Sequence, residues 1–284
     1  MLVEIEELKT RLDEESLVLL YSQLTPIGVQ VHADVPSYIP GSRVFNIEEF
    51  SATEVSLPHM LLPEGDFNRK AKELGINTNS KIYVYDDVGI YSSPRAWFNL
   101  KLMGCENVAI VNGGIVRWKK FDYQALQSAV LHNPRGNFRG RKNADMVASM
   151  EYVQSKISCQ SCKIIDVRSE DRFNGVVPEP RQGVRRGHIP NSVNLPFSKL
   201  LHEQRYKEKH DLLRLFDDAG ALGKEEIIFL CGSGVTACIA YFAAHLCGLP
   251  GIKLYDGSWA EWGSTEGLPI ETYLNKHDQS GSLR

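Results

Sequence analysis

The sequence matches itself, and a chain that repeats builds each copy in a similar way. Lys81-Ile-Tyr-Val-Tyr-Asp86 and Glu226-Ile-Ile-Phe-Leu-Cys231 each read as a buried strand running into a loop. Each is followed by a helical stretch, a short strand and a glycine turn ending in tryptophan. That end is Val111-Asn-Gly-Gly-Ile-Val-Arg-Trp118 in one half and Tyr255-Asp-Gly-Ser-Trp-Ala-Glu-Trp262 in the other. Asp86 and Cys231 lie 145 positions apart, and Trp118 and Trp262 lie 144 apart. Upstream, Leu19-Leu-Tyr-Ser-Gln23 pairs with Ile164-Ile-Asp-Val-Arg168, and Tyr38-Ile-Pro-Gly41 with His188-Ile-Pro-Asn191. The repeat predicts a duplication and two similar domains, residues 1–132 and 144–284. Between them, the polar stretch 133–143 is expected as a linker ahead of a helix beginning near Ala144.

Short apolar strands alternating with helical stretches predict an α/β fold, each domain a mainly parallel sheet with helices on both faces. In such sheets ligands sit at the carboxyl ends of strands, where loops lead into helices. Cys231 occupies that kind of place, and Asp86 occupies it in the other half.

Composition removes several alternatives. A hydrophobic content of 43% with 24% charged residues is ordinary for a globular chain and excludes a disordered or fibrous one. The formal net charge is -3, and no block of Lys and Arg marks a nucleic-acid or membrane surface. The longest apolar run, around Ile239 to Leu249, is broken by His245 and falls short of the ~18 residues of a membrane span. Met1 to Arg11 is acidic and helical in pattern, unlike a basic leader, so a cytoplasmic location is expected. Six cysteines in a reducing compartment are expected to be buried residues plus a reactive thiol, not a disulfide scaffold.

The loop Cys231-Gly-Ser-Gly-Val-Thr-Ala237 carries the chemistry. Gly232 and Gly234 allow positive φ and a tight curl. Successive amides, including those of Val235 and Thr236, can then turn inward as an anion-binding nest, and the following helix adds the positive end of its dipole. Both favour a thiolate, the reactive form of cysteine. Ser233 and Thr236 supply hydroxyls at the rim. A buried cysteine ahead of a glycine turn is the bland alternative; the Gly-Ser-Gly spacing at a strand-to-helix junction argues against it.

This loop resembles the active-site loop of the 3-mercaptopyruvate sulfurtransferases, within the rhodanese superfamily. The resemblance spans nearly the whole chain, through Leu57-Pro-His-Met-Leu61, Tyr91-Ser-Ser-Pro-Arg-Ala-Trp97, Glu179-Pro-Arg181, Gly187-His-Ile-Pro190 and Tyr255-Asp-Gly-Ser-Trp259. It implies tandem rhodanese-like domains, the first without thiol chemistry of its own. It implies that Cys231 takes sulfur from a small mercapto-acid as a persulfide and releases pyruvate. A thiol acceptor, thioredoxin-like or small, or cyanide would then remove the sulfur. No cofactor or metal is implied. Arg172 and Arg181 match positions that bind the donor carboxylate and carbonyl, where the two-pronged guanidinium suits a keto-acid. Ser233, with His59 and Glu48 from the first half, is the implied proton relay. Phe45-Asn-Ile-Glu48 and Ser51-Ala-Thr-Glu-Val55 are less acidic than the family pattern, and this bears on the relay alone. Relatives that use thiosulfate carry two basic residues in the loop near the positions of Gly232 and Ser233. Their absence favours an uncharged sulfur end on the donor, with thiosulfate as the alternative.

Asp166, Arg168 and His188 read as scaffold, a buried polar network that supplies its own partners. Cys159-Gln-Ser-Cys162 has redox or zinc spacing, but no second pair completes a zinc site, and the motif precedes a strand, not a helix. A cysteine phosphatase of similar topology would need an arginine six positions after the nucleophile, where Ala237 stands. A non-catalytic binding module of the same superfamily would not need Cys231; Asp86 shows what a loop without a nucleophile looks like in this chain.

Overall fold

The computed structural model describes residues 1–24, 37–131 and 134–273. The chain divides into two compact units, and neither is a single stretch of sequence. Unit 1 comprises Met1–Glu54, Leu61–Ala144 and Leu201–Tyr206; unit 2 comprises Val55–Met60, Asp145–Leu200 and Lys207–Arg284.

In unit 1, strands β1 (Leu2–Val3), β2 (Leu17–Gln23), β3 (Arg43–Asn46), β4 (Lys81–Tyr85) and β5 (Val108–Val111) form one sheet in the order β1-β5-β4-β2-β3. Every pairing is parallel. Helices α1 (Ile5–Arg11) and α4 (Gly114–Lys120) cover one face, burying Ile5, Leu8, Ile115 and Trp118 against Leu19, Tyr21, Tyr83, Tyr85, Ala109 and Val111. Helices α2 (Glu64–Glu73) and α3 (Ser93–Leu102) complete the unit. The strands read as continuous apolar runs because a parallel sheet buries both of its faces.

Unit 2 repeats the plan. Strands β6 (Val147–Ala148), β7 (Cys162–Asp166) and β8 (Val193–Asn194) precede a short antiparallel ribbon, β9 (Leu201–His202) with β10 (Arg205–Tyr206), whose residues belong to unit 1. Strands β11 (Glu226–Leu230) and β12 (Ile252–Tyr255) complete a parallel sheet in the order β6-β12-β11-β7-β8, position for position the order of the first. Helices α5 (Met150–Lys156) and α9 (Ser258–Trp262) bury Val153, Trp259 and Trp262 against Ile164, Ile228, Leu230 and Tyr255. On the opposite face, Phe229 meets Phe216 of α7 (Lys209–Asp218) and Tyr241 of α8 (Ala237–Cys247). A short α6 (Glu170–Phe173) follows β7. Isolated bridges also repeat: Tyr38 pairs with Leu126, and His188 with Glu271.

Two boundaries differ from the sequence reading. The expected linker packs on unit 1 over its described part: Gly136, Phe138, Arg141 and Asn143 donate amide hydrogens to carbonyls of Lys72, Ile76, Met103 and Leu102. Phe138 is buried there, meeting Phe67 edge-on, and adds a large apolar contact to those hydrogen bonds. At Ala144 stands only a 3-10 turn, Ala144–Met146, with helix α5 starting after a Ser149 cap that accepts from the Tyr152 amide. Glycines and arginines disguised the first contact; the short strand β6 displaced the second.

Candidate active site

Cys231 follows the carboxyl end of β11, and its loop opens α8. The side chain is 2% exposed. Its carbonyl accepts from the Trp259 amide at 2.9 Å and that of Gly232 from Ala260 at 2.9 Å, so the start of α9 clamps the loop from one side. The Cys231 amide donates to Ser258 Oγ at 3.2 Å, and that hydroxyl donates to the Tyr255 carbonyl at 2.8 Å. Ser258 does this from a fully buried position at φ +51°, a left-handed conformation uncommon for a residue with a side chain. The sequence reading passed over Ser258. The repeat held a signal, because Gly114 stands at the matching place in unit 1, also at positive φ.

The two loop glycines serve different ends. Gly234 takes φ +76° and makes the curl. Gly232 does not take a positive φ, contrary to expectation. Its missing side chain leaves room: a Cβ there would stand 2.9 Å from Arg172 Nη2. Among the described residues, the amides of Gly232, Ser233, Val235 and Thr236 have no backbone or side-chain acceptor. Thr236 sits half-exposed at the N-terminal boundary of α8 without a side-chain cap bond, and Val235 is buried beneath the loop.

The matching loop of unit 1 shows what such a loop holds. There Asp86, fully buried, accepts from the amides of Val88 (3.1 Å), Tyr91 (2.8 Å) and Ser93 (2.8 Å) and from Ser93 Oγ (2.6 Å). A carboxylate fills the cradle of the first copy. In the second copy the residue after the strand carries a thiol instead, and the amides of Gly232, Ser233, Val235 and Thr236 have no acceptor among the described residues.

Two further side chains reach the loop. His59 belongs to unit 2 through the segment Val55–Met60, and its Nδ1 lies 2.9 Å from Ser233 Oγ. Both residues are buried, and His59 sits at φ +58°, a strained backbone of the kind that persists where the surroundings fix it. Arg172, on α6, lies beside Cys231 at the other edge; burial alone would lower its pKa, but the Glu179 carboxylate and the nearby sulfur more than offset this and raise it.

Arg172 is not an open fork. Its Nε and Nη2 are held by Glu179 Oε1 (3.1 Å) and Oε2 (2.5 Å), which leaves Nη1 facing away from that pair. The expected two-pronged grip on a carboxylate therefore meets a guanidinium already gripped on one side. Glu179 is the second residue that sequence reasoning missed. It also accepts from Arg168 Nη1 at 2.8 Å, and Arg168 in turn holds Asp166 through Nε and Nη2 and lies over the Trp259 ring at 4.3 Å. Asp166, Arg168, Glu179 and Arg172 thus form a chain of alternating charge from the buried end of β7 to the half-buried Arg172 at the rim of the loop. His188 Nδ1 lies 2.8 Å from the Phe173 carbonyl and its ring stacks on Phe173, which ties α6 to the same frame.

Arg181 is half-buried, two residues beyond Glu179. Glu48 belongs to unit 1, where its amide donates to Asn46 Oδ1 at 2.9 Å. Unit 2 therefore brings together Cys231, Ser233, His59 and Arg172. Among the described residues no group of three or more acidic, histidine or cysteine side chains could hold a metal ion, and no helix is long and apolar enough to cross a membrane. Chemically the site offers one thiol, a hydroxyl–imidazole pair, a guanidinium and four loop amides without an acceptor among the described residues.

Comparisons with known proteins point the same way. The sequence profile of the rhodanese-like domain matches residues 5–121 and again 149–265. The chain is 38% identical over 234 residues to the 3-mercaptopyruvate sulfurtransferase of Escherichia coli K12, covering 82% of this chain and 83% of that one. It is 33% identical over 229 residues to the thiosulfate sulfurtransferase of Rattus norvegicus, covering 79% and 77%. The crystal structure of SseA from Escherichia coli, a 3-mercaptopyruvate sulfotransferase, superposes with a TM-score of 0.82 at 33% identity, covering 91% of this chain and 98% of that one.

Proposed function

The chain belongs to the rhodanese family and is a sulfurtransferase, and we propose that its donor is 3-mercaptopyruvate and its sulfur carrier Cys231. The Cys231 thiolate attacks the donor sulfur, so that a new S–S bond forms while the C–S bond breaks. The bonding pair leaves with pyruvate as its enolate. Ser233 supplies the proton that converts the enolate to the ketone, and His59, 2.9 Å away, replenishes it. The outer sulfur of the persulfide then passes to an attacking thiolate or to cyanide, and Cys231 returns as thiolate.

One observation carries this reading: the contrast between the two loops. Asp86 satisfies its cradle with a carboxylate, whereas the amides of Gly232, Ser233, Val235 and Thr236 have no acceptor among the described residues. Amides fixed in place before the reaction stabilise a persulfide and the charge that develops on it without reorganising, which is where such sites gain most. Unit 1 has no nucleophile at that place and performs no sulfur chemistry. Catalysis resides in residues 144–284 together with the His59 segment.

The donor follows from charge. Thiosulfate presents an anionic sulfonate beside its transferable sulfur and calls for cations in the loop, where this chain has Gly232 and Ser233. A keto-acid presents a carboxylate farther from its sulfur, for which Arg172, beside the loop, and Arg181 are the proposed partners. The acceptor is a small thiol or a thioredoxin-like protein in the cytoplasm; neither nucleic acid nor a membrane is a partner.

Steady-state rates with each donor and mass spectrometry of the intact protein test this. With 3-mercaptopyruvate, pyruvate appears and one sulfur atom is added to Cys231, and Cys231→Ser abolishes both. Turnover of thiosulfate at an equal or higher rate refutes the donor, and a sulfur-loaded Cys231→Ser protein refutes the carrier.

A further inference from the structure

A second thiol site lies at the opposite end of the same sheet. Cys159, Gln160, Ser161 and Cys162 form a tight turn closed by the Cys162 amide donating to the Cys159 carbonyl at 3.3 Å. Such a turn brings its end Cα atoms within about 7 Å, and a disulfide spans about 4.4–6.8 Å. The turn is fixed from outside as well. Lys224 Nζ donates to the Gln160 carbonyl at 2.8 Å, and the amides of Glu225 and Glu226 donate to the Ser161 carbonyl at 2.9 and 3.3 Å.

The two sulfurs stand in opposite environments. Cys159 is partly exposed, and Ser161 Oγ lies 3.6 Å from its sulfur. That hydroxyl, with the Ser161 amide and Lys156 on α5, holds the thiol below its usual range. Cys162 is buried at the start of β7, and its thiol donates to Glu226 Oε1 at 3.8 Å. Burial and the Glu226 carboxylate push it up to about 12. Glu226 opens β11 directly beside Cys162 in the sheet register, and it is steadied by Tyr152 Oη at 2.6 Å and Lys156 Nζ at 3.8 Å, both from α5.

The geometry points to Cys159 and Cys162 as a redox-active dithiol, in which Cys159 attacks a small-molecule disulfide, Cys162 resolves the mixed disulfide and Glu226 takes the Cys162 proton. The Cys159 thiolate attacks one sulfur of the reagent and expels the other half as a thiolate. Cys162, deprotonated by Glu226, attacks Cys159 Sγ and expels the second half. The two cysteines are oxidised to one disulfide, the reagent is reduced to two thiols, and the two cysteine protons end on the released thiolates. This site cannot draw on the Cys231 persulfide within one molecule, because the five residues of β11 separate the two by about 16 Å. It is a separate exchange centre and does not depend on the donor proposed for Cys231.

The test uses the full-length protein, with Cys231→Ser alongside wild type so that the nucleophile adds no signal. The protein is incubated in oxidised and reduced glutathione at a series of ratios, sampled from early times to equilibrium, quenched in acid, alkylated and digested with trypsin. Cleavage after Lys156 and Lys163 releases both cysteines in one peptide. The expected product is that peptide two hydrogens lighter and unalkylated. Cys162→Ser keeps one glutathione on Cys159, Cys159→Ser leaves Cys162 unmodified, and Glu226→Gln slows ring closure on the order of tenfold or more, so that the mixed disulfide accumulates. Two alkyl groups at every ratio overturn the proposal, as does a wild-type mixed disulfide that never closes. Closure at the wild-type rate in Glu226→Gln overturns the role of the carboxylate.

Discussion

Ser258 is where the position of the nucleophile is most open to measurement. Replacing it with alanine removes one hydroxyl and strands two buried groups, the Cys231 amide at 3.2 Å and the Tyr255 carbonyl at 2.8 Å. A buried group left without its partner costs about 1–3 kcal/mol. Alanine also keeps the left-handed backbone at φ +51°. The expected loss is therefore at least about 2 kcal/mol, or about 30-fold or more in the folding equilibrium of unit 2. Glycine strands the same groups but relieves a conformational cost of about 1–2 kcal/mol, against about 0.5–1 kcal/mol for its freer unfolded chain. Ser258→Gly should then be more stable than Ser258→Ala by about 0.5–1 kcal/mol. Chemical denaturation followed by tryptophan fluorescence reads the order, and timed mass spectrometry of sulfur loading on Cys231 reads the chemistry. Loading should slow in both variants, since both release the amide of the attacking residue. If Ser258→Ala matches wild type in both readouts, or Ser258→Gly is the less stable variant, the argument from strain and stranded groups fails.

Other outcomes follow from the same frame. Gly232→Ala places a Cβ 2.9 Å from Arg172 Nη2 and moves a tethered guanidinium by a few tenths of an ångström; KM for the donor should rise about three- to tenfold with little change in thermal stability. Glu179→Gln removes the charge between Arg168 and Arg172 and should cost about 3 kcal/mol in denaturation, because both guanidinium groups lose a buried counter-charge. Iodoacetamide should modify Cys159 at a lower pH than Cys162, since a lowered thiol pKa means more thiolate at a given pH and a raised one means less; Ser161→Ala should move the Cys159 profile upward.

The parts of the molecule that were legible in the sequence are those set by local pattern. The apolar runs of β4 and β11, the glycine curl before α8 and the 145-residue offset each lie within a few residues or repeat at a fixed distance. What escaped depends on contacts between distant positions. Glu179 reads as one acid in an arginine-rich loop until the fold brings it onto both Arg168 and Arg172. Phe138 reads as part of a polar linker until it meets Phe67. Ser258 looks like any serine in a turn, because the sign of a dihedral angle leaves no trace in composition. The role expected of Gly232 failed for a related reason: pattern shows that a side chain is missing, but only the neighbours show whether the backbone or the space required it.

The exchange of short segments has a consequence for how the two copies can be separated. Cutting the chain once, at residue 144, yields a C-terminal piece that retains Cys231 but loses Val55–Met60, and with it the imidazole that touches Ser233. The N-terminal piece in turn loses the ribbon Leu201–Tyr206, whose Arg205 reaches Glu4 and whose Tyr206 amide reaches Asn112. Swapping front halves between relatives would therefore carry a neighbour of the Cys231 loop along with the first copy. A duplicated gene that has traded pieces in this way can no longer shed either half without damage to the other.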